Sequence, residues 1–167
     1  MISFVVNRIL WMLLLLFMQV FIFNHVHILG YATPLSFVYF ILTLPLGCSR
    51  NVAMLWGFAM GLSVDIFSNT PGVAAAAMTF AAFVQPSVMN ALELKEGIEG
   101  TTQGFRTMGR WAYVRYAALV ISLHHLVYFV LEYFSYFSVW ALLCSFVSSW
   151  ALTLITCVAF ESLRSSK

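Results

Sequence analysis

Six blocks of apolar residues, 4–23, 34–47, 51–67, 71–90, 112–133 and 138–160, make up most of this chain, and polar or helix-breaking residues collect in the short stretches between them. A helix that crosses a hydrocarbon core about 30 Å thick needs about 20 predominantly apolar residues, and the blocks match or approach that length. The pattern predicts an all-α integral membrane protein with a single transmembrane domain over 1–167. Its expected form is a six-transmembrane-helix bundle with little outside the bilayer apart from a loop at 91–111. The second block is short and the third contains Asp65, so a five-helix or re-entrant version also fits the pattern.

Composition removes the soluble alternatives. Hydrophobic residues are 62% of the 167, charged residues only 8%, and the mean hydropathy is +0.94, values outside the range of a water-soluble globular domain. Charge then orients the helices. All eight basic residues (Arg8, Arg50, Lys95, Arg106, Arg110, Arg115, Arg164 and Lys167) fall on one side of the six-pass pattern. Lys and Arg gather on the cytoplasmic side of membrane proteins, which predicts that both termini are cytoplasmic. Basic residues at a bilayer edge also account for the basic pI without nucleic acid. The first block lacks a small-residue cleavage site, because Phe23, Asn24, His25, Val26 and His27 follow it, and it is expected to persist as a helix. Cys48, Cys144 and Cys157 form no CxxC pair and are expected to be buried small hydrophobes.

Local motifs point to how the hairpins are built. Thr33-Pro34 and Thr70-Pro71 both have the form of a helix start, with Thr as N-cap and Pro at the first helical position. Gly57 and Gly61 form a small-xxx-small motif that lets a neighbouring backbone approach, and Ala74 to Ala77, Ala81 and Ala82 offer a mate on the next helix. Asp65 has two readings. It either locks the turn between helices three and four, helped by Ser68, Asn69 and Thr70, or it is a ligand- or partner-binding carboxylate at the outer surface.

On the fifth block Arg115, Ser122, His125 and Glu132 fall within an arc of about 100°, with His124 on the opposite side. A polar stripe of this kind faces the bundle interior, either as hydrogen-bonded packing or as a proton or ligand site. Neither HxxxH nor HExxH is present, and GxxxxGK[ST] and GxSxG are absent as well, so no metal, cofactor or catalytic residue is expected. The 91–111 loop combines Glu93, Lys95, Glu96 and Glu99 with Arg106, Arg110 and Trp111. It reads equally as a linker on the membrane surface and as a docking site. Tyr128, Tyr133, Phe134, Tyr136, Phe137 and Trp140 have the makeup of an aromatic interface belt.

The runs Asn24-His25-Val26-His27-Ile28-Leu29-Gly30-Tyr31-Ala32-Thr33-Pro34 and Gly57-Phe58-Ala59-Met60-Gly61-Leu62-Ser63-Val64-Asp65-Ile66-Phe67-Ser68-Asn69-Thr70-Pro71-Gly72 resemble the rod-shape-determining MreD family in its Bacteroidetes form. The resemblance implies a non-enzymatic component of the cell-wall elongation complex in the bacterial cell inner membrane, scaffolding or regulating peptidoglycan synthesis and cell shape. Its partners would be an MreC-like periplasmic scaffold, an MreB-like filament, a peptidoglycan glycosyltransferase and transpeptidase, and membrane lipids. It also implies a fold similar to the six-helix substrate-binding component of vitamin transporters, and with it a rival function as the substrate-binding membrane subunit of a vitamin or small-molecule transporter. In the scaffold reading Gly57, Gly61, Asp65, Asn69, Pro71 and Gly72 form a partner interface or structural turn. In the transporter reading Arg115, Ser122, His125 and Glu132 line a cavity.

Overall fold

The computed structural model describes residues 2–25, 33–45, 47–94, 101–132 and 139–165. Within these residues the fold is all-α. The long helices are α1 (Ile2–Phe21), α3 (Arg50–Ser68), α4 (Val73–Ala91), α6 (Arg110–Glu132) and α7 (Val139–Ser165). Between them lie two single-turn helices, α2 (Tyr39–Leu42), which follows a 3-10 turn at Ser36–Val38, and α5 (Phe105–Met108). Four helices are long and apolar enough to cross a bilayer, Arg50–Ser68, Val73–Ala91, Arg110–Glu132 and Trp140–Ser165, and α1 is apolar over Val5–Phe21.

The distribution of side chains is that of a membrane protein. Leu10, Phe17, Leu55, Ile66, Val147 and Ile155 are all more than half exposed, an outer surface that suits acyl chains and not water. Gln19, Gln85, His124, His125, Ser149, Thr153 and Glu161 are buried. In such a fold the polar groups lie inside because no lipid can satisfy them.

The expected second spanning helix, 34–47, is replaced by something shorter. Thr33 to Leu35 is not helical, Leu35 has φ −93° and ψ 61°, and only Ser36 to Leu42 turns, first as 3-10 and then as the four residues of α2. Phe37, Val38, Phe40, Ile41 and Leu42 have no exposed surface at all. This segment therefore touches protein on every side, and each backbone group that a regular helix would pair internally needs another partner. Side chains of α1 and α7 supply them. Thr33 N–H donates to Ser149 Oγ (3.0 Å), Leu35 N–H to Thr153 Oγ1 (2.9 Å) and Ser36 N–H to Gln19 Oε1 (3.0 Å), and Gln19 Nε2 donates to the Pro34 carbonyl (3.1 Å). Farther along, the Ser36 and Thr156 hydroxyls bond each other at 3.0 Å, and the Tyr39 hydroxyl donates to Glu161 Oε2 at 2.9 Å. The partners on α7 advance in order from Ser149 to Glu161, about 18 Å along a helix axis. The buried segment thus runs parallel to α7 over that length.

Both ends of the chain's described part lie at the same end of the bundle. Arg8 of α1 and Glu161, Arg164 and Ser165 of α7 line one cleft. Arg50 at the start of α3 reaches Ser87 near the end of α4, and Arg106 reaches the Ser165 carbonyl. At the other end Asn24 Nδ2 donates to Ser68 Oγ at 2.9 Å. Lys95 and Lys167 lie outside the described residues.

Replacing Thr153 by Val keeps the shape of the side chain and leaves Leu35 N–H without its acceptor in a dry interior. The expected cost is about 1–3 kcal/mol, read as a lower Tm in detergent. Thr156→Val removes a hydroxyl that bonds Ser36 and the Leu152 and Thr153 carbonyls but strands no backbone N–H, and is expected to cost less. Equal Tm values for the wild type and Thr153→Val would show that this backbone group is satisfied another way.

Candidate functional site

The α3–α4 hairpin is built around one carboxylate. Asp65 is 3% exposed. Its Oδ1 accepts the Ala74 N–H and the Thr70 hydroxyl, and its Oδ2 accepts the Ala75 N–H, all at 2.9 Å. Ala74 and Ala75 occupy the first turn of α4, where N–H groups have no intrahelical partner and the helix dipole favours negative charge. The chain gets there through two left-handed residues: Asn69 at φ 54°, which closes α3, and Gly72 at φ 86°, which precedes α4. The expected Thr-Pro helix start does not form. Gly72 takes the N-cap position and α4 begins at Val73, because the capping acceptor comes from the preceding helix and Thr70 is used to hold that acceptor. Thr33-Pro34 likewise begins no helix.

Below the turn the two helices nearly touch. A Cβ at Gly61 would stand 2.5 Å from Ala75 Cα, and one at Gly57 would stand 2.8 Å from the Met78 carbonyl oxygen. Both are closer than atoms can approach, so the small-residue motif serves the seam inside the chain. Asp65 faces inward, whereas Asn69, Pro71 and Gly72 are exposed beside Ile66 and Phe67.

The expected stripe on α6 does not gather around one space. Arg115 and Glu132 are exposed. Ser122 is half-buried, donates to the Ala118 carbonyl (2.7 Å) and accepts the Trp150 indole N–H (2.9 Å). His125 is fully buried between Thr153 Oγ1 at 3.2 Å and the Ile121 carbonyl at 3.0 Å. In a neutral ring the nitrogen facing a carbonyl carries the proton, so Nδ1 donates to Ile121 and Nε2 accepts from Thr153. His125 thereby steadies the same Thr153 that receives the Leu35 N–H.

His124, expected on the far side, is fully buried as well. Its ring meets Phe37 edge-on at 5.3 Å and stacks on Tyr128 at 6.1 Å. The physical reason is the internal segment, which covers the flank of α6 that would otherwise face outward. His124 Nε2 has no hydrogen-bond partner among the described residues.

Sequence reasoning missed the stripe that matters most. Ser145, Ser149, Thr153, Cys157 and Glu161 recur every four residues along α7, and all are buried. That spacing was visible but diluted by an apolar background. Glu161 is its most heavily used member. It takes the Tyr39 hydroxyl, the Phe105 N–H at 3.1 Å and the Arg164 guanidinium at 3.1 Å. Gln19 of α1 and the Tyr39–Glu161 pair also went unnoticed, because their partners are far away in sequence.

Other expectations change with the fold. Residues 101–108 fold into the base of the bundle: Thr102 bridges Pro45, Gln103 is buried, and Phe105 packs edge-on against Tyr113. Trp111 is 83% exposed. Tyr128 is buried against His124 and so does not join an aromatic belt, whereas Trp140 is exposed. Cys157 is buried, Cys48 is half-buried and Cys144 is exposed. Residues 26–32 of the first resemblance run, Lys95 to Gly100 of the loop, and Tyr133, Phe134, Tyr136 and Phe137 lie outside the described residues. Among the described residues no three His, Cys, Asp or Glu side chains converge as metal ligands.

Fold and sites together define a multi-pass helical bundle of the membrane type, with one turn locked by a carboxylate and one buried polar column. Comparison of the chain with protein-family models, curated proteins and solved structures found no match.

Asp65→Ala is expected to free three donors at once and destabilise the hairpin by about 1–3 kcal/mol, with Asp65→Asn intermediate. Gly61→Ala is expected to push α3 and α4 apart at a cost of about 1–3 kcal/mol. Thermal unfolding in detergent checks both. A Gly61→Ala protein as stable as the wild type would mean that the helices separate freely at this seam.

Proposed function

We propose that this protein is a non-enzymatic component of the bacterial cell-wall elongation complex, acting as an MreD-type scaffold for an MreC-like partner and the enzymes of peptidoglycan synthesis. In this reading it lies in the inner membrane with both termini cytoplasmic and crosses six times, with the buried segment 33–45 as one of the crossings. The observation that carries the proposal is the α3–α4 hairpin, whose Asp65 to Gly72 turn is the most specific part of the family resemblance. Its seam and its carboxylate are consumed internally, which leaves a rigid, preorganised tip of Ile66, Phe67, Asn69, Pro71 and Gly72 at the surface. A fixed tip loses little entropy on binding and suits a scaffold.

The transporter reading draws no comparable support. Arg115 and Glu132 are exposed, and the His125 ring nitrogens are engaged within the packed interior, among Phe129, Phe146 and Thr153.

Pull-down of the tagged protein from its native membrane in mild detergent, with mass spectrometry of proteins and small molecules, tests the proposal. An MreC-like protein and wall-synthesis enzymes are the expected partners, and Phe67→Ala is expected to lower their recovery without changing protein abundance. Recovery of an ATPase-type energising module with a bound vitamin would instead establish a transporter subunit.

A further inference from the structure

At the end of the bundle where α1 begins and α7 ends, a cleft of about 500 Å³ is lined by three arginines, Arg8, Arg106 and Arg164, and one carboxylate, Glu161. Glu161 already receives the Tyr39 hydroxyl, the Phe105 N–H and Arg164. Among the described lining residues the three guanidinium groups outnumber this one carboxylate. Arg8 is only 4% exposed and lies within electrostatic reach of Arg164. Two guanidinium groups held together at the edge of a low-dielectric bundle repel each other, and an anion between them offsets that cost. Arginines present planar forks of N–H donors that match phosphate oxygens, and Thr101 and Thr102 line the same cleft.

The surroundings narrow the source of the anion. Next to Arg8, the outward face of α1 presents Val5, Val6, Ile9 and Leu10, all more than a third exposed. A ligand with its phosphate in the cleft would have its apolar portion lying along this face. We infer that the cleft binds the phosphate headgroup of an anionic membrane lipid, with its acyl chains laid against the start of α1. This site is separate from the α3–α4 tip and does not depend on the elongation-complex reading.

The test is native mass spectrometry of the full chain in mild detergent, titrated with phosphatidylglycerol and, separately, with inorganic phosphate. The wild type is expected to retain one phosphatidylglycerol, and Arg106→Gln to weaken retention about tenfold, with Arg8→Gln at least as damaging. Arg106 is exposed, so its variant stays informative even where Arg8→Gln fails to fold. Arg115→Gln removes the same charge from an exposed position outside the cleft and is expected to leave retention unchanged. Equal loss in Arg115→Gln and Arg106→Gln, or no retained lipid in the wild type, would overturn the site. Binding of inorganic phosphate without lipid would assign the cleft to a soluble phosphate compound and overturn the lipid assignment.

Discussion

Everything in the middle of this bundle answers to the backbone of residues 33–45. A chain that passes through an apolar interior without a continuous helix exposes N–H and C=O groups that neither lipid nor water can satisfy. The protein meets this by lending side chains from both flanks. Gln19 bonds the segment twice, through Ser36 N–H and the Pro34 carbonyl, and Ser149 and Thr153 take the N–H groups of Thr33 and Leu35. His125 stands behind Thr153, and Glu161 anchors Tyr39 one step farther along. Polar residues that look like functional candidates in isolation are here the lining of one structural channel for backbone.

The hairpin of α3 and α4 solves the opposite problem. Its backbone is regular, and only the turn needs help. Asp65 supplies it by closing the first turn of α4 with two charge-assisted bonds. Gly57 and Gly61 bring the helices close enough for that carboxylate to reach. Carboxylate and glycines depend on each other, because a wider seam would carry the acceptor away from Ala74 and Ala75. The outcome is a stiff exposed tip at one end of the bundle and an arginine-rich cleft at the other.

Much of the fold was legible along the chain. Apolar blocks at 51–67, 71–90, 112–133 and 138–160 became α3, α4, α6 and α7 with shifts of a few residues, since length and hydropathy alone decide whether a helix suits a bilayer. The inward role of Asp65 was one of two readings open from its neighbours, because its partners lie within ten residues. Block 34–47 misled for a definite reason. Its residues are as apolar as a spanning helix requires, yet hydropathy cannot distinguish contact with lipid from contact with protein. The burial of His124 was illegible for the same reason, since a helical wheel locates directions on α6 but not what covers them.

Sequence by itself determined that this is a helical, multi-pass, membrane-type chain, which blocks form long helices, and that small residues and an aspartate mark the α3–α4 hairpin. Those properties rest on composition and on contacts between near neighbours, where the identity of a residue nearly settles its environment. Tertiary structure alone decided that one apolar block is internal, that the buried polar column runs along α7, and that Arg8 and Arg164 share a cleft. Each of these joins residues more than a hundred positions apart. No local spacing encodes which pairs meet, because that is settled by how five helices close around a segment that must not reach the lipid.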